Sequence, residues 1–370
     1  NGDALLDSAD YMVSEDGTIT LKNSYLSALE AGEYTVRAVY NPFGEEYRSG
    51  DEPAMTAVKL TVEKKTPVQD HKQSDGKIYD GQSIGMPTFN TDSDGARTFE
   101  YKKLGDDDAA YTTVAPKNVE QYVIRITTAE TDTFKAASST MEFEIQPKEI
   151  TISDVKVADK TYDGTTEAKI TNAGTLSDNY DGDNLTIVTG KAAYDNKNAG
   201  KGKVVSFTEF ELSGSAAGNY KLIKQPADTT ADITAKEITI NGATVEASRI
   251  YDGTTDATVT NAGTLSDNYD GDNLTIVTGS ASYDNKNVGN GKTVSFTGFE
   301  LSGSDAENYK LTAQPASVTA DITVKEITIN GAAVEASRIY DGTTEAKITN
   351  AGTLSDNYDG ENLTIVAGSA

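Results

Sequence analysis

Apolar and polar residues alternate with a period of two through much of this chain. Glu237-Ile238-Thr239-Ile240, Leu274-Thr275-Ile276-Val277 and Thr293-Val294-Ser295-Phe296 all show it, as expected where successive side chains point to opposite faces of a sheet. Asn308-Tyr309-Lys310-Leu311 and 318–322 extend the set, and Asp-Gly, Asn-Gly and Gly-Asn pairs between the runs supply turn chemistry. Upstream, 122–126 and 141–145 alternate in the same way, as do 10–13, 18–21 and 34–40 nearer the N-terminus. No window holds a helical period. The pattern predicts an all-β protein.

Internal repetition sets the organisation. Residues 250–281 return as 339–370, an offset of 89, with five differences in the 33 positions from Arg249 to Ala281. Tyr162-Asp163-Gly164 precedes Tyr251-Asp252-Gly253 by the same 89, and Gly218-Asn219-Tyr220 matches Glu307-Asn308-Tyr309. A unit of this size suits one sandwich domain rather than one turn of a solenoid. The expected modules are 148–235, 236–324 and an incomplete 325–370, preceded by 66–147, a diverged relative with its own Tyr79-Asp80-Gly81, and by 1–65. The half unit at 325–370 leaves a sandwich uncovered, so the natural protein is expected to continue past Ala370, and 1–65 reads as a module missing its first strands. Ala231-Asp232-Ile233-Thr234 runs through Ala235 into Lys236-Glu237-Ile238 with no flexible spacer. The expectation is tandem immunoglobulin-like β-sandwich modules in an elongated array, each roughly 35 Å long, forming a monomeric rod.

Composition narrows the function classes. A formal charge of −26 argues against nucleic acid or an anionic membrane as partner, since binding phosphate needs clustered Lys and Arg. No apolar run is long enough to span a bilayer, so no membrane insertion is expected in this segment. The absence of cysteine removes disulfides, thiolate metal sites and a cysteine nucleophile. His71, the single histidine, lies in the polar stretch 70–73, which reads as a linker and not a catalytic cleft. No carboxylate pair stands out among the 58 acids. No catalytic, cofactor-binding or metal residue is therefore assigned.

Calcium is the cofactor the loops bring to mind. Asn90-Thr91-Asp92-Ser93-Asp94-Gly95 resembles the opening of a calcium loop, but its twelfth position is Tyr101 and no helices flank it. The acidic loop 178–184, repeated at 267–273 and 356–362, is explained as well by turn chemistry. Tyr162, Tyr251 and Tyr340 follow strands at Asp-Gly bends, where buried rings with hydroxyls tied to backbone are expected. Asn219-Tyr220 and Asn308-Tyr309 suggest a tyrosine corner. Lys197 and Lys286 recur as candidates for a lysine–asparagine isopeptide crosslink. The sequons Asn184-Leu185-Thr186 and Asn273-Leu274-Thr275 carry little weight.

Tyr-Asp-Gly-Thr-Thr, then Gly-Asp-Asn-Leu, then Tyr283 to Lys292, then Leu301-Ser302-Gly303 with Asn308-Tyr309, resemble the YDG domain over 148–370. Residues 66–147 are similar to mostly-bacterial immunoglobulin-like repeats, and 4–63, with Asp10-Tyr11 and Ser24-Tyr25-Leu26, resemble X2-type modules. The resemblance implies an extracellular location, on the surface or wall of a bacterial cell, and a modular scaffold without catalytic residues. The expected role is a stalk or spacer that presents a distal domain and contributes to adhesion. Alternatives are an adhesin module that binds a host or cell-wall glycan or protein, and a non-catalytic accessory region of a polysaccharide-degrading enzyme.

Overall fold

The structure, a computed structural model, describes residues 6–40, 54–72, 76–358 and 361–370. Parts of the sequence-derived modules and motifs (1–5, 41–53, Gln73 and the pair Asp359-Gly360 of the third acidic loop) lie outside the described residues. Among the described residues nearly all regular structure is β; the α-helical content is a single turn at Asn23–Leu26, with short 3-10 turns elsewhere. No helix is long and apolar enough to cross a membrane among those residues. Packing divides the chain into two compact units, one of Asn1–Thr151, Leu176–Ile187 and Leu212–Lys224, the other of Ile152–Thr175, Val188–Glu211 and Gln225–Ala370. The first 89-residue repeat thus contributes to both.

In the first unit, the N-terminal segment is built of two antiparallel hairpins, Tyr11–Val13 with Ile19–Leu21 and Gly32–Tyr40 with Ala54–Val62. None of the side chains described in this segment is fully buried. Residues 66–147 form a four-stranded sheet in the order Lys77–Ile78, Ala137–Gln146, Glu120–Thr128, Arg97–Lys103, parallel at the first pairing and antiparallel at the rest. Alternation is strict: Tyr122, Ile124, Ile126 and Thr128 face inward from one strand, Met141, Phe143 and Ile145 from its neighbour. On the outer face Glu100 stands opposite Arg125 in the ladder and accepts from its Nε (3.0 Å) and Nη2 (2.9 Å). The inward core takes in Ile150, Ala216 and Tyr220 of the first 89-residue repeat.

One expectation changes here. His71 is not in a linker; it ends the strand Gln69–His71, paired with Phe89–Thr91 in antiparallel register. The polar run conceals a strand because Gln69 and His71 share the partly buried side while Asp70 faces solvent.

The second unit repeats one sheet twice, 89 residues apart. Lys160–Thr161, Thr229–Thr234, Gly200–Thr208 and Lys191–Tyr194 form the first sheet; Ser248–Ile250, Val318–Thr323, Gly289–Thr297 and Ser280–Tyr283 form the second, with Asp256–Ala257 added at its edge. Strand order and direction match those of residues 66–147. That shared topology explains why a segment with little sequence likeness carries the same Tyr-Asp-Gly landmark. Both long strands are bulged before Lys203 and Lys292, where Gly202 (φ 60°) and Gly291 (φ 59°) supply the left-handed backbone. In the second copy Val294 (0 % exposed) and Phe296 fill the core, and Phe299 meets Phe296 edge-on at 5.6 Å between centroids. Gln314 holds Phe299 in place, its carboxamide accepting from the Phe299 amide (2.8 Å) and donating to its carbonyl (3.0 Å).

A second layer comes from the opening strand of each repeat. Lys148–Ile150 runs parallel to Tyr220–Leu222 in the first unit, and Lys236–Ile238 parallel to Tyr309–Leu311 in the second. The opening strands follow almost directly on closing strands that end at Gln146 and Thr234. Among the described residues of 325–370 the strand pairings are short, Ile329–Asn330 with Thr353–Leu354 and Ala333–Val334 with Ile348–Asn350.

Candidate functional site at the repeat junctions

The Tyr-Asp-Gly turns at Tyr79, Tyr162 and Tyr251 each follow a strand end. In Tyr162-Asp163-Gly164, the Asp163 carboxylate accepts from the Thr165 amide (2.9 Å) and hydroxyl (2.8 Å), and Lys160 Nζ closes on the same oxygen at 2.7 Å. Gly164 takes φ 75°, and a Cβ added there would lie 3.7 Å from the ring of Tyr269. The turn therefore aims the tyrosine away from its own sheet and brings bare backbone against the next repeat.

Tyr162 is 1 % exposed, and its ring stands edge-on to Tyr269 (5.8 Å, 70°) and Tyr309 (5.4 Å, 70°) of the following repeat. Its hydroxyl donates to Asp272 Oδ2 at 2.8 Å, and that oxygen also receives the Tyr309 hydroxyl at 2.6 Å. The Tyr269 amide donates to the Tyr309 hydroxyl at 2.9 Å, which fixes the direction in which that phenol donates. Lys197 Nζ lies 2.7 Å from Asp272 Oδ1, so the carboxylate is spanned by two phenols and an ammonium. Beside it, buried Asn308 accepts from the Ala199 amide (2.7 Å) and donates to Asn198 Oδ1 (3.3 Å).

The same construction recurs in the first unit. Tyr79, 1 % exposed, lies edge-on to Tyr180 (5.9 Å) and Tyr220 (5.5 Å) and donates to Asp183 Oδ1 (3.1 Å) and Oδ2 (2.9 Å). Tyr220 donates to Asp183 at 2.5 Å, and Asn219 bridges Val119 (2.8 Å) and Asn118 (3.2 Å). Within the second unit it recurs again, with Tyr251 edge-on to Tyr358 (6.1 Å) and its hydroxyl on Glu361, where Lys286 Nζ also lies, at 2.6 Å. A lysine at the start of each repeat covers the first ring of the socket, Lys148 over Tyr180 at 4.2 Å, Lys236 over Tyr269 at 4.1 Å and Lys325 over Tyr358 at 4.1 Å.

Residues 146–231 and 234–318 match the YDG domain family in tandem. No curated protein matches the chain. The tyrosines of both YDG segments, Tyr162 and Tyr251, serve as the knob, while Asp183 with Tyr220 and Asp272 with Tyr309 supply the socket for the knob before them. The chemistry on offer is non-covalent: a phenol–carboxylate hydrogen bond, buried at Tyr79 and Tyr162 and half-buried at Tyr251, reinforced by lysine in the second and third junctions. It joins consecutive repeats.

Several sequence-derived assignments shift with this geometry. Tyr162 and Tyr251 tie their hydroxyls to a carboxylate of the next repeat and not to backbone, while Tyr340 is 91 % exposed. Tyr220 and Tyr309 differ from a tyrosine corner: each hydroxyl receives a backbone amide 40 residues upstream, from Tyr180 and Tyr269, and donates to a carboxylate. Lys197 and Lys286 face carboxylates rather than asparagine amides and form ion pairs. In the loop 90–95, Asp92 accepts the Val68 amide at 2.7 Å. Asp178, Asp267 and Asp356 carry positive φ of 51°, 52° and 55°, a turn role. Among the described residues no three metal-type side chains converge. Asp183, Asp272 and Glu361 lie in the acidic loops singled out from sequence, but their role escaped that reading because each lies more than a hundred residues from its tyrosine. The signal that could have found them is an acid following glycine in every copy, aspartate at 183 and 272, glutamate at 361.

The electrostatics give a pH dependence with two limits. Burial works to raise the Asp272 pKa, but Lys197 and the two phenol hydroxyls outweigh it and hold it below the ordinary 3.8. A carboxyl depressed on folding stabilises the fold above its unfolded pKa, and that contribution disappears as pH falls through the folded value. Burial, with the neighbouring Asp183 or Asp272, pushes Tyr79, Tyr220 and Tyr309 up to about 12. A phenol raised on folding stabilises below its ordinary value of 10.0, and the contribution is lost as pH rises through the folded value. Stability is therefore expected to be flat through neutrality, to fall below about pH 4 and to fall again above about pH 10. Absorbance at the phenolate band should show a late-titrating tyrosine class near pH 12. A single titration at the ordinary tyrosine value would contradict the buried phenol–carboxylate pairs.

Proposed function

We propose that this chain is a non-catalytic structural region, a stalk or spacer of a secreted or cell-surface bacterial protein that presents a distal domain. The observation that carries this reading is the junction: one repeat's tyrosine donates to the next repeat's carboxylate, buried at Tyr162 with Asp272 and half-buried at Tyr251 with Glu361. Hydrogen-bonded contact of this kind resists bending between neighbours, and each added copy extends reach without new chemistry. The charge of −26 favours solubility and keeps neighbouring chains apart. Exterior location is what the resemblance to YDG modules implies, and the tandem match supports that resemblance. Small-angle scattering on the chain tests the reading: an extended profile unchanged between low and moderate salt is expected, and a compact globular profile would overturn it.

A further inference from the structure

An asparagine followed by glycine is open to attack on its side chain by the next backbone nitrogen, which no Cβ shields. Among the described residues three such pairs occur, Asn241-Gly242, Asn290-Gly291 and Asn330-Gly331, and all three asparagines are exposed. Their glycines take left-handed φ of 73°, 59° and 73°, with open space where a Cβ would stand. The pairs differ in the nitrogen that would attack. Gly291 lies in the bulge of the strand Gly289–Thr297, and its amide donates to Asp321 Oδ1 at 2.8 Å. The preceding repeat makes the same bond from Gly202 to Asp232 Oδ1 (2.7 Å), with Lys201 in place of the asparagine. The amides of Gly242 and Gly331 have no hydrogen-bond partner among the described residues. Gly242 turns the chain between Ile240–Asn241 and Thr244–Val245. The first repeat builds this turn, between Ile152–Ser153 and Lys156–Val157, from Ser153 and Asp154 (φ 58°), so the fold does not require asparagine there.

We propose that Asn241 and Asn330 are sites of spontaneous deamidation through a cyclic imide, and that Asp321 holds Asn290 unreactive. The Gly242 nitrogen loses its proton to solvent and attacks Asn241 Cγ. The new N–Cγ bond closes a five-membered ring, the Cγ–Nδ2 bond breaks, and ammonia leaves with a proton from solvent. Water then opens the ring at either carbonyl, giving aspartate or isoaspartate and one added negative charge. Water is the only co-reactant. At Asn290 the same step breaks the Gly291 hydrogen bond and sets a nitrogen anion against a carboxylate. Isoaspartate at 241 lengthens the main chain by one methylene between Ile240 and Ala243, which are 3 % and 4 % exposed in the core of the second repeat. The reaction does not depend on the stalk reading.

Ageing the full chain in mildly alkaline buffer, with tryptic peptides then mapped by mass spectrometry against an unaged sample, tests it. Trypsin places the three asparagines in separate peptides, 237–249, 287–292 and 326–338, and fragmentation tells Asn290 from Asn287. Peptides 237–249 and 326–338 are expected to convert from amide to acid with time, each into two products of equal mass, aspartate and isoaspartate. Asn290 should convert at least about tenfold more slowly, the worth of a hydrogen bond to a charged group. In urea the three sites should react alike, since the difference comes from the fold. Conversion of Asn290 as fast as Asn241 in the folded chain, aspartate as the sole product, or a difference that survives in urea would overturn the proposal.

Discussion

Asp272→Ala is expected to lower the stability of the unit that contains it by about 2–4 kcal/mol. The carboxylate is 3 % exposed and receives two phenols and an ammonium. Its removal strands the hydroxyls of Tyr162 and Tyr309, which are 1 % and 5 % exposed, and an unsatisfied buried donor costs about 1–3 kcal/mol. Lys197 contributes less, because at 39 % exposure water takes over its solvation. Tyr162→Phe should cost only about 1 kcal/mol, since it removes a single donor and keeps the ring packing. Urea unfolding followed by near-ultraviolet circular dichroism reads both, tyrosine being the reporter in a chain without tryptophan. A loss below about 0.5 kcal/mol for Asp272→Ala would show the junction to be a surface contact.

Phe299→Ala is the larger perturbation, about 3–5 kcal/mol. The ring is 2 % exposed, stands edge-on to Phe296 and is fixed by Gln314, so the surrounding strands have little room to close over the space left. Val277→Ala in the same repeat, at 45 % exposure, should stay within about 0.5 kcal/mol and serves as the control. Denaturant melts of the two variants separate a packed sandwich core from a loose pairing of sheets: equal, small effects would contradict the packing described for this repeat.

Alternation of period two located the strands well because the sheets are half-buried: 293–296 falls inside Gly289–Thr297, and 122–126 inside Glu120–Thr128. The 89-residue period likewise reappears in strand positions, as between Lys191–Tyr194 and Ser280–Tyr283. His71 was misread because strand formation there depends on pairing with Phe89–Thr91 and not on local hydrophobicity. The junction was illegible for a different reason. Tyr162 and Asp272 are 110 residues apart, and the acid sits in a loop whose Asp and Gly content satisfies turn chemistry without further explanation. Asn308 reads from sequence as part of a strand and a tyrosine corner, yet it is one of the few buried polar side chains among the described residues, held there by the Ala199 amide of the preceding repeat. Sequence periodicity reports which face of a strand is buried; it carries no information on which repeat does the burying.

Tyr162 of one YDG segment is bound to Asp272 of the next, and a double-mutant cycle measures that bond directly. Stabilities of Tyr162→Phe, Asp272→Ala and the double variant, taken from urea unfolding of the whole chain, give the coupling between the two side chains. A coupling of about 1 kcal/mol or more is the predicted result. Losses that add to within about 0.3 kcal/mol would mean that the two residues act independently, and would contradict a latch between repeats.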